Sequence, residues 1–185
     1  MRYLIKIGCF LIFSVPTTVF AIETGYPTDL ELASLPQYCH AKLRKNQGDP
    51  EYEKWRGILG LDFMHTHHFC QGLNLINRYY KASSESDRKH YLKSAIDNFG
   101  YMVTNAAPTY SLMPEVYINR GTALSKFGKN SEAMVDFRKA IELNPRWAKA
   151  YTILADFYVE KKLQGEALAT ITEGLRYVPN SKMLQ

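Results

Sequence analysis

Pro114–Pro145, PEVYINRGTALSKFGKNSEAMVDFRKAIELNP, is followed two residues later by Ala148–Pro179, AKAYTILADFYVEKKLQGEALATITEGLRYVP, and the second stretch restates the first. Tyr117 stands opposite Tyr151, Gly121 opposite Ala155, Leu124 opposite Tyr158 and Ala133 opposite Ala167, each pair 34 residues apart. The register continues through Phe137 and Ile171, Ala140 and Gly174, and Pro145 and Pro179. A fixed period of this size marks a stack of supersecondary units. Within a unit, Pro114 suits the first turn of a helix running to about Phe127, Gly128 stops it, and Asn130 or Ser131 is placed to cap a second helix running to about Leu143. Ala133, Phe137, Ala140 and Ile141 recur at helical spacing along that second helix and form its apolar stripe. The next unit predicts helices from Trp147 to about Lys161 and from Gly165 to about Tyr177. Two helices of this length cannot bury their stripes alone, so the core must form between units.

This period and order resemble the tetratricopeptide repeat, in which a large residue, a small one and an aromatic space the first helix, small residues let the second approach, and a proline closes the unit. The resemblance implies an all-α fold of stacked antiparallel helix pairs, with repeats over 114–147 and 148–181 and a tail over 182–185. Upstream, Ala95 and Phe99 repeat the spacing of Ala133 and Phe137, Met102 stands where Ala140 does, and Pro108 follows. A divergent unit is therefore expected over 63–113. Its first helix would run from Met64 to Tyr80 with Gly72 as the small residue and His68 in the large position, and a long connection through Asp87 would lead to a second helix over Lys93 to Asn105.

The stretch FMHTHHFCQGL, Phe63–Leu73, falls in that first helix. At 100° per residue His65, His68, Phe69, Gly72, Ile76 and Tyr79 share one side, and His67 points nearly away. A zinc site normally needs at least three protein ligands. The residues that would have to supply them are His40, His65, His67 and His68, which leaves a small metal-handling protein as the rival reading. The reading carried forward has His65 and His68 packing as amphipathic rings, with no metal and no cofactor.

At the N-terminus, Arg2 and Lys6 precede the apolar run Ile7 to Val15 and then PTTVFA, the order of a secretory signal peptide cut after Ala21. The run is too short to span a bilayer, which takes about 20 apolar residues, and no later stretch supplies an integral membrane segment. Export, read from the form of this segment as bacterial and periplasmic, would leave 21 basic against 18 acidic residues and a net charge of +3. Such a scattered balance gives no footprint for nucleic acid. It would also leave Cys39 and Cys70 as a single pair, which an oxidising compartment joins. The bond would tie a helical N-terminal extension over 22–62 to the repeats, and the chain-entropy model makes it worth about 3.5 kcal/mol.

There is no GxSxG, HExxH, GxGxxG or glycine-rich phosphate loop, and a bonded cysteine is no nucleophile, so the chain reads as a binding protein and not an enzyme. The resemblance places a partner protein or peptide in a concave groove lined by the first helices. Carried over residue by residue, that lining is Glu115, Ile118, Asn119, Thr122, Ser125 and Lys126, then Lys149, Thr152, Ile153, Asp156 and Glu160. Asn119 would read a peptide backbone, and Lys126 with Lys149 its charge. Asn119 and Lys149 match two positions of the family's carboxylate clamp, but Ile153 and Leu73 break it, so that clamp is incomplete. Function is thereby narrowed to a protein-binding scaffold or assembly factor in the cell envelope, or a subunit with a structural role alone. The few residues after Pro179 look too short to cap the stack, which would leave Leu168, Ile171 and Leu175 partly exposed for a homodimer or a docked partner.

Overall fold

A computed structural model describes residues 26–185, so the expected signal peptide lies outside the described residues. Helices and turns make up the described chain, with no strand among the described residues. Three helices come first: α1 (Asp29–Leu32), α2 (Gln37–Arg44) and α3 (Pro50–Leu59). A 3-10 turn over Leu61–His65 leads into α4 (Thr66–Lys81), and α5 (Glu85–Asn105), α6 (Met113–Lys126), α7 (Asn130–Leu143), α8 (Ala148–Glu160) and α9 (Gln164–Tyr177) follow.

Local chemistry sets most of these boundaries. Thr28 and Glu31 form a reciprocal capping box on α1, and Asp49 accepts from the Glu51 N–H at 2.9 Å with Pro50 in the first turn of α3. Ser84 caps α5 by accepting from the Asp87 N–H at 3.0 Å. That cap corrects the expected long connection. Only Ala82 to Ser84 join α4 to α5, and Glu85 and Asp87 favour the first turn of α5 because carboxylates offset the positive end of the helix dipole. The extra residues lengthen the helix instead of the loop. A second correction concerns α7, whose N-cap is Lys129 with no side-chain cap, not Asn130 or Ser131. The turn before it needs a left-handed residue, supplied by Gly128 at φ 89°; the same turn one period later puts Lys162 at φ 62°.

The stack forms because each pair buries its stripe on the next. α4 packs on α5, α6 on α7 and α8 on α9, while α5 meets α6 and α7 meets α8. The first helices α4, α6 and α8 touch in sequence along one side. Gly72 and Gly121 explain how closely the two helices of a pair approach: a Cβ on Gly72 would run into the Phe99 ring, and one on Gly121 would lie 2.7 Å from Phe137 Cε1. Ala95, Phe99 and Met102 belong to one buried cluster, and Ala133, Phe137 and Ala140 to the other large one. No helix among the described residues is long and apolar enough to cross a membrane.

At the C-terminus, the expected bare side is partly closed. Leu184 turns back and is buried, lying against Gly174 and Tyr151, and Ile171 and Leu175 are half-buried on the core. Of the three apolar residues only Leu168 stays open, at 69% exposure. The surface left for a second copy is correspondingly smaller.

At the other end, α2 lies on α4 with Cys39 and Cys70 buried side by side in bonding geometry, their Cα atoms 5.6 Å apart. Arg78 of α4 adds a paired grip on Glu31 of α1 at 2.7 and 3.0 Å. The bonds from Arg78 hold the Glu31 carboxyl at about 2, well below its usual range. We expect intact-mass analysis of the protein purified without reductant to read two hydrogens lighter than the reduced chain, with Cys39 and Cys70 in one linked peptide. Two alkylatable thiols at these positions would remove the bond.

Candidate partner-binding groove

The face lined by α4, α6 and α8 differs at its two ends. Near the N-termini of these helices it is covered. Tyr38 of α2 stacks on Phe69 of α4 at 6.5 Å between ring centroids, and meets Trp55 of α3 edge-on at 5.8 Å. Its hydroxyl is buried beside the Glu115 carboxyl. Burial, with Glu115 next to it, pushes the Tyr38 hydroxyl above the usual phenol range. Burial also raises the Glu115 carboxyl, against the opposing pull of Lys149 and of Tyr38 itself. Glu115 is therefore a partner of the N-terminal helices, not an open groove residue. Ile118 is a further correction: at 4% exposure it belongs to the core between the pairs.

Several polar side chains of the expected lining are spent on their own helices. Asn119 donates Nδ2–H to the Glu115 carbonyl at 2.8 Å, Thr122 donates its hydroxyl to the Ile118 carbonyl at 2.8 Å, and Thr152 donates to the Lys149 carbonyl at 2.9 Å. What Asn119 keeps for a ligand is its carbonyl oxygen, an acceptor. Lys126 and Lys149 do not act as a pair. They sit at opposite ends of neighbouring first helices, separated by about 11 residues of helix or roughly 16 Å.

Near the C-termini of the same helices the face is open. A cavity of about 240 Å³ gathers Thr122, Ser125 and Lys126 from α6 and Ile153, Asp156 and Glu160 from α8. Three aromatic residues outside the expected lining complete it: Tyr80, Phe157 and Phe137, the last a residue of the α7 apolar stripe. Tyr80 arrives because α4 runs nine residues past Gly72, whereas α6 ends five past Gly121 and α8 five past Ala155. That extra turn carries Tyr79 and Tyr80 to Lys126, whose Nζ lies 5.9 and 5.3 Å from their ring centroids. The pair of tyrosines beyond the point where the other first helices stop is the signal that was available in the sequence.

The histidines occupy a different place. His68 stacks on Tyr101 at 3.7 Å and its Nδ1 lies 3.0 Å from Asn98 Oδ1, while His65 Nδ1 lies 3.4 Å from the Tyr101 hydroxyl. His67 does not point away: its ring is 4.3 Å from that of His68 and donates from Nδ1 to the Met64 carbonyl at 3.0 Å. Both residues belong to α4 and stand one helical step apart, so the approach is made by the side chain: the bond to the Met64 carbonyl, in the preceding 3-10 turn, holds the His67 ring beside that of His68. Burial and the adjacent His68 lower the His67 pKa, which keeps that ring neutral at pH 7. Among the described residues no three His, Cys, Asp or Glu side chains converge as a metal-holding group, and His40 joins none.

The geometry defines a class first: a short stack of helix pairs whose first helices share one face. Comparison with known proteins makes it specific. The tetratricopeptide repeat family profile matches residues 114–146. An Hsp70-Hsp90 organizing protein of Triticum aestivum is 36% identical over 69 residues, 37% of this chain and 12% of that protein. Tetratricopeptide repeat protein 6 of Homo sapiens is 26% identical over 144 residues, 72% of this chain and 27% of that protein. The chain thus spans little more than a quarter of the length of these relatives at most. These matches and the stack itself identify residues 114–146 as a tetratricopeptide repeat, set in an all-α stack similar to that of tetratricopeptide repeat proteins. Modules of this kind generally bind other proteins and do not catalyse reactions.

Proposed function

We propose that this chain is a non-enzymatic scaffold or assembly factor of the bacterial cell envelope, exported to the periplasm, which holds an extended segment of a partner protein on the α4, α6 and α8 face. The observation that carries the reading is the cavity at the open end of that face, with an aromatic floor and charged rim on a rigid stack. The covered end supports it too, since the N-terminal helices confine an incoming segment to the half that ends at Tyr80, Lys126 and Glu160. The name of the Triticum aestivum relative, an organizing protein, fits a scaffold role. Export rests on the form of the N-terminal sequence and on the cysteine pair.

A photo-crosslinking side chain placed at Ser125, on the open face, tests the site against one at Val135, which is 63% exposed on α7. In the native host, the Ser125 probe should trap one defined protein that the Val135 probe does not. Equal capture at both positions, or capture at Val135 alone, would place the partner elsewhere.

A further inference from the structure

Resting on the groove reading, we infer that the open cavity selects a basic side chain, arginine above all, on the partner segment. Asp156 and Glu160 lie one turn apart on α8 and both are exposed at the cavity rim. Like charges at this spacing repel one another along a helix unless a cation joins them. Neither carboxylate has an ion pair among the described residues. The two nearby lysines are engaged with rings: Lys126 over Tyr79 and Tyr80, and Lys161 over Phe157 at 5.5 Å. The cavity therefore presents two carboxylates with no ion-pair partner among the described residues above Ile153, Phe137 and Phe157, against the one ammonium of Lys126, which is held over the tyrosines.

That combination matches the two halves of a long basic side chain. The methylenes of an arginine would lie on the apolar floor and its guanidinium would reach both carboxylates, a match of planar fork to paired oxygens that an ammonium makes less well. The rim of Thr122 and Ser125 supplies hydroxyl oxygens for its remaining N–H groups, since Thr122 donates its own proton to the Ile118 carbonyl and keeps its lone pairs. An acidic or phosphorylated segment would meet Asp156 and Glu160 as repulsion. This preference is opposite in sign to that of a carboxylate clamp.

The test uses the full chain with alanine-based hexapeptides carrying one central arginine, citrulline or glutamate, read by the NMR shift of the Ile153 δ-methyl. Citrulline keeps the shape and loses the charge. We expect the arginine peptide to bind with a Kd at least tenfold below that of the citrulline peptide, and the glutamate peptide to leave the methyl unmoved. Asp156→Asn with Glu160→Gln should erase the difference, whereas Glu142→Gln on α7 should preserve it. Equal Kd values, or a methyl silent to all three peptides, overturn the inference. If the Ser125 crosslink persists in that case, the groove reading survives and only the charge preference falls. If the crosslink is absent too, both fall.

Discussion

Phe137→Ala is expected to lose about 4 kcal/mol of folding stability, within the 3–5 kcal/mol that truncating a buried aromatic typically costs. Phe137 is 2% exposed, its ring fills the space left by Gly121, and it meets Phe157 edge-on at 5.4 Å. Its removal takes the contact from both sides of the interface between the second and third helix pairs. The backbone cannot close the gap without shifting α7 against α6, so a cavity remains. Phe137→Leu retains most of the volume and should lose about 1 kcal/mol. Urea unfolding followed by circular dichroism at 222 nm separates the two variants, and a Phe137→Ala loss below about 1.5 kcal/mol would mean that this interface is not the core of the stack. Because this ring also forms part of the cavity floor, the leucine variant is the better one for asking about binding.

Asp136→Ala should cost nearly as much, about 4 kcal/mol, for an electrostatic reason. Asp136 is 2% exposed and receives Arg120 Nε–H and Nη2–H, both at 2.7 Å. Taking away the carboxylate strands a largely buried guanidinium, and breaking such a pair costs about 3–5 kcal/mol. The next repeat shows the alternative. One period later the same two positions hold Leu154 and Thr170, both buried, so the stack tolerates an uncharged pair here. The double change Arg120→Leu with Asp136→Thr should therefore remain within about 1 kcal/mol of the parent. A double variant as unstable as Asp136→Ala would show that the ion pair itself, and not the stranded charge, carries the stability.

The sequence by itself determined the architecture, because a repeat fold writes its contacts locally. Each unit touches only its neighbours, so the last two units repeat at a fixed period of 34 residues, and the first unit repeats the pairing of Gly121 with Phe137 in Gly72 with Phe99, at a wider separation along the chain. The mixed polar lining of α6 and α8 is legible for the same reason, since helical period alone assigns residues to faces. Which of those residues can meet a ligand is decided by contacts with no period. Tyr38 closes over Glu115, Leu184 folds onto Gly174, and the extra turn of α4 brings Tyr80 to Lys126. His67 lies beside His68 because its ring is held by the Met64 carbonyl, a side-chain contact that helical projection does not contain. A face is set by the spacing of side chains along one helix, but its accessibility is set by chain segments that reach it from elsewhere in the sequence, and only tertiary packing places those.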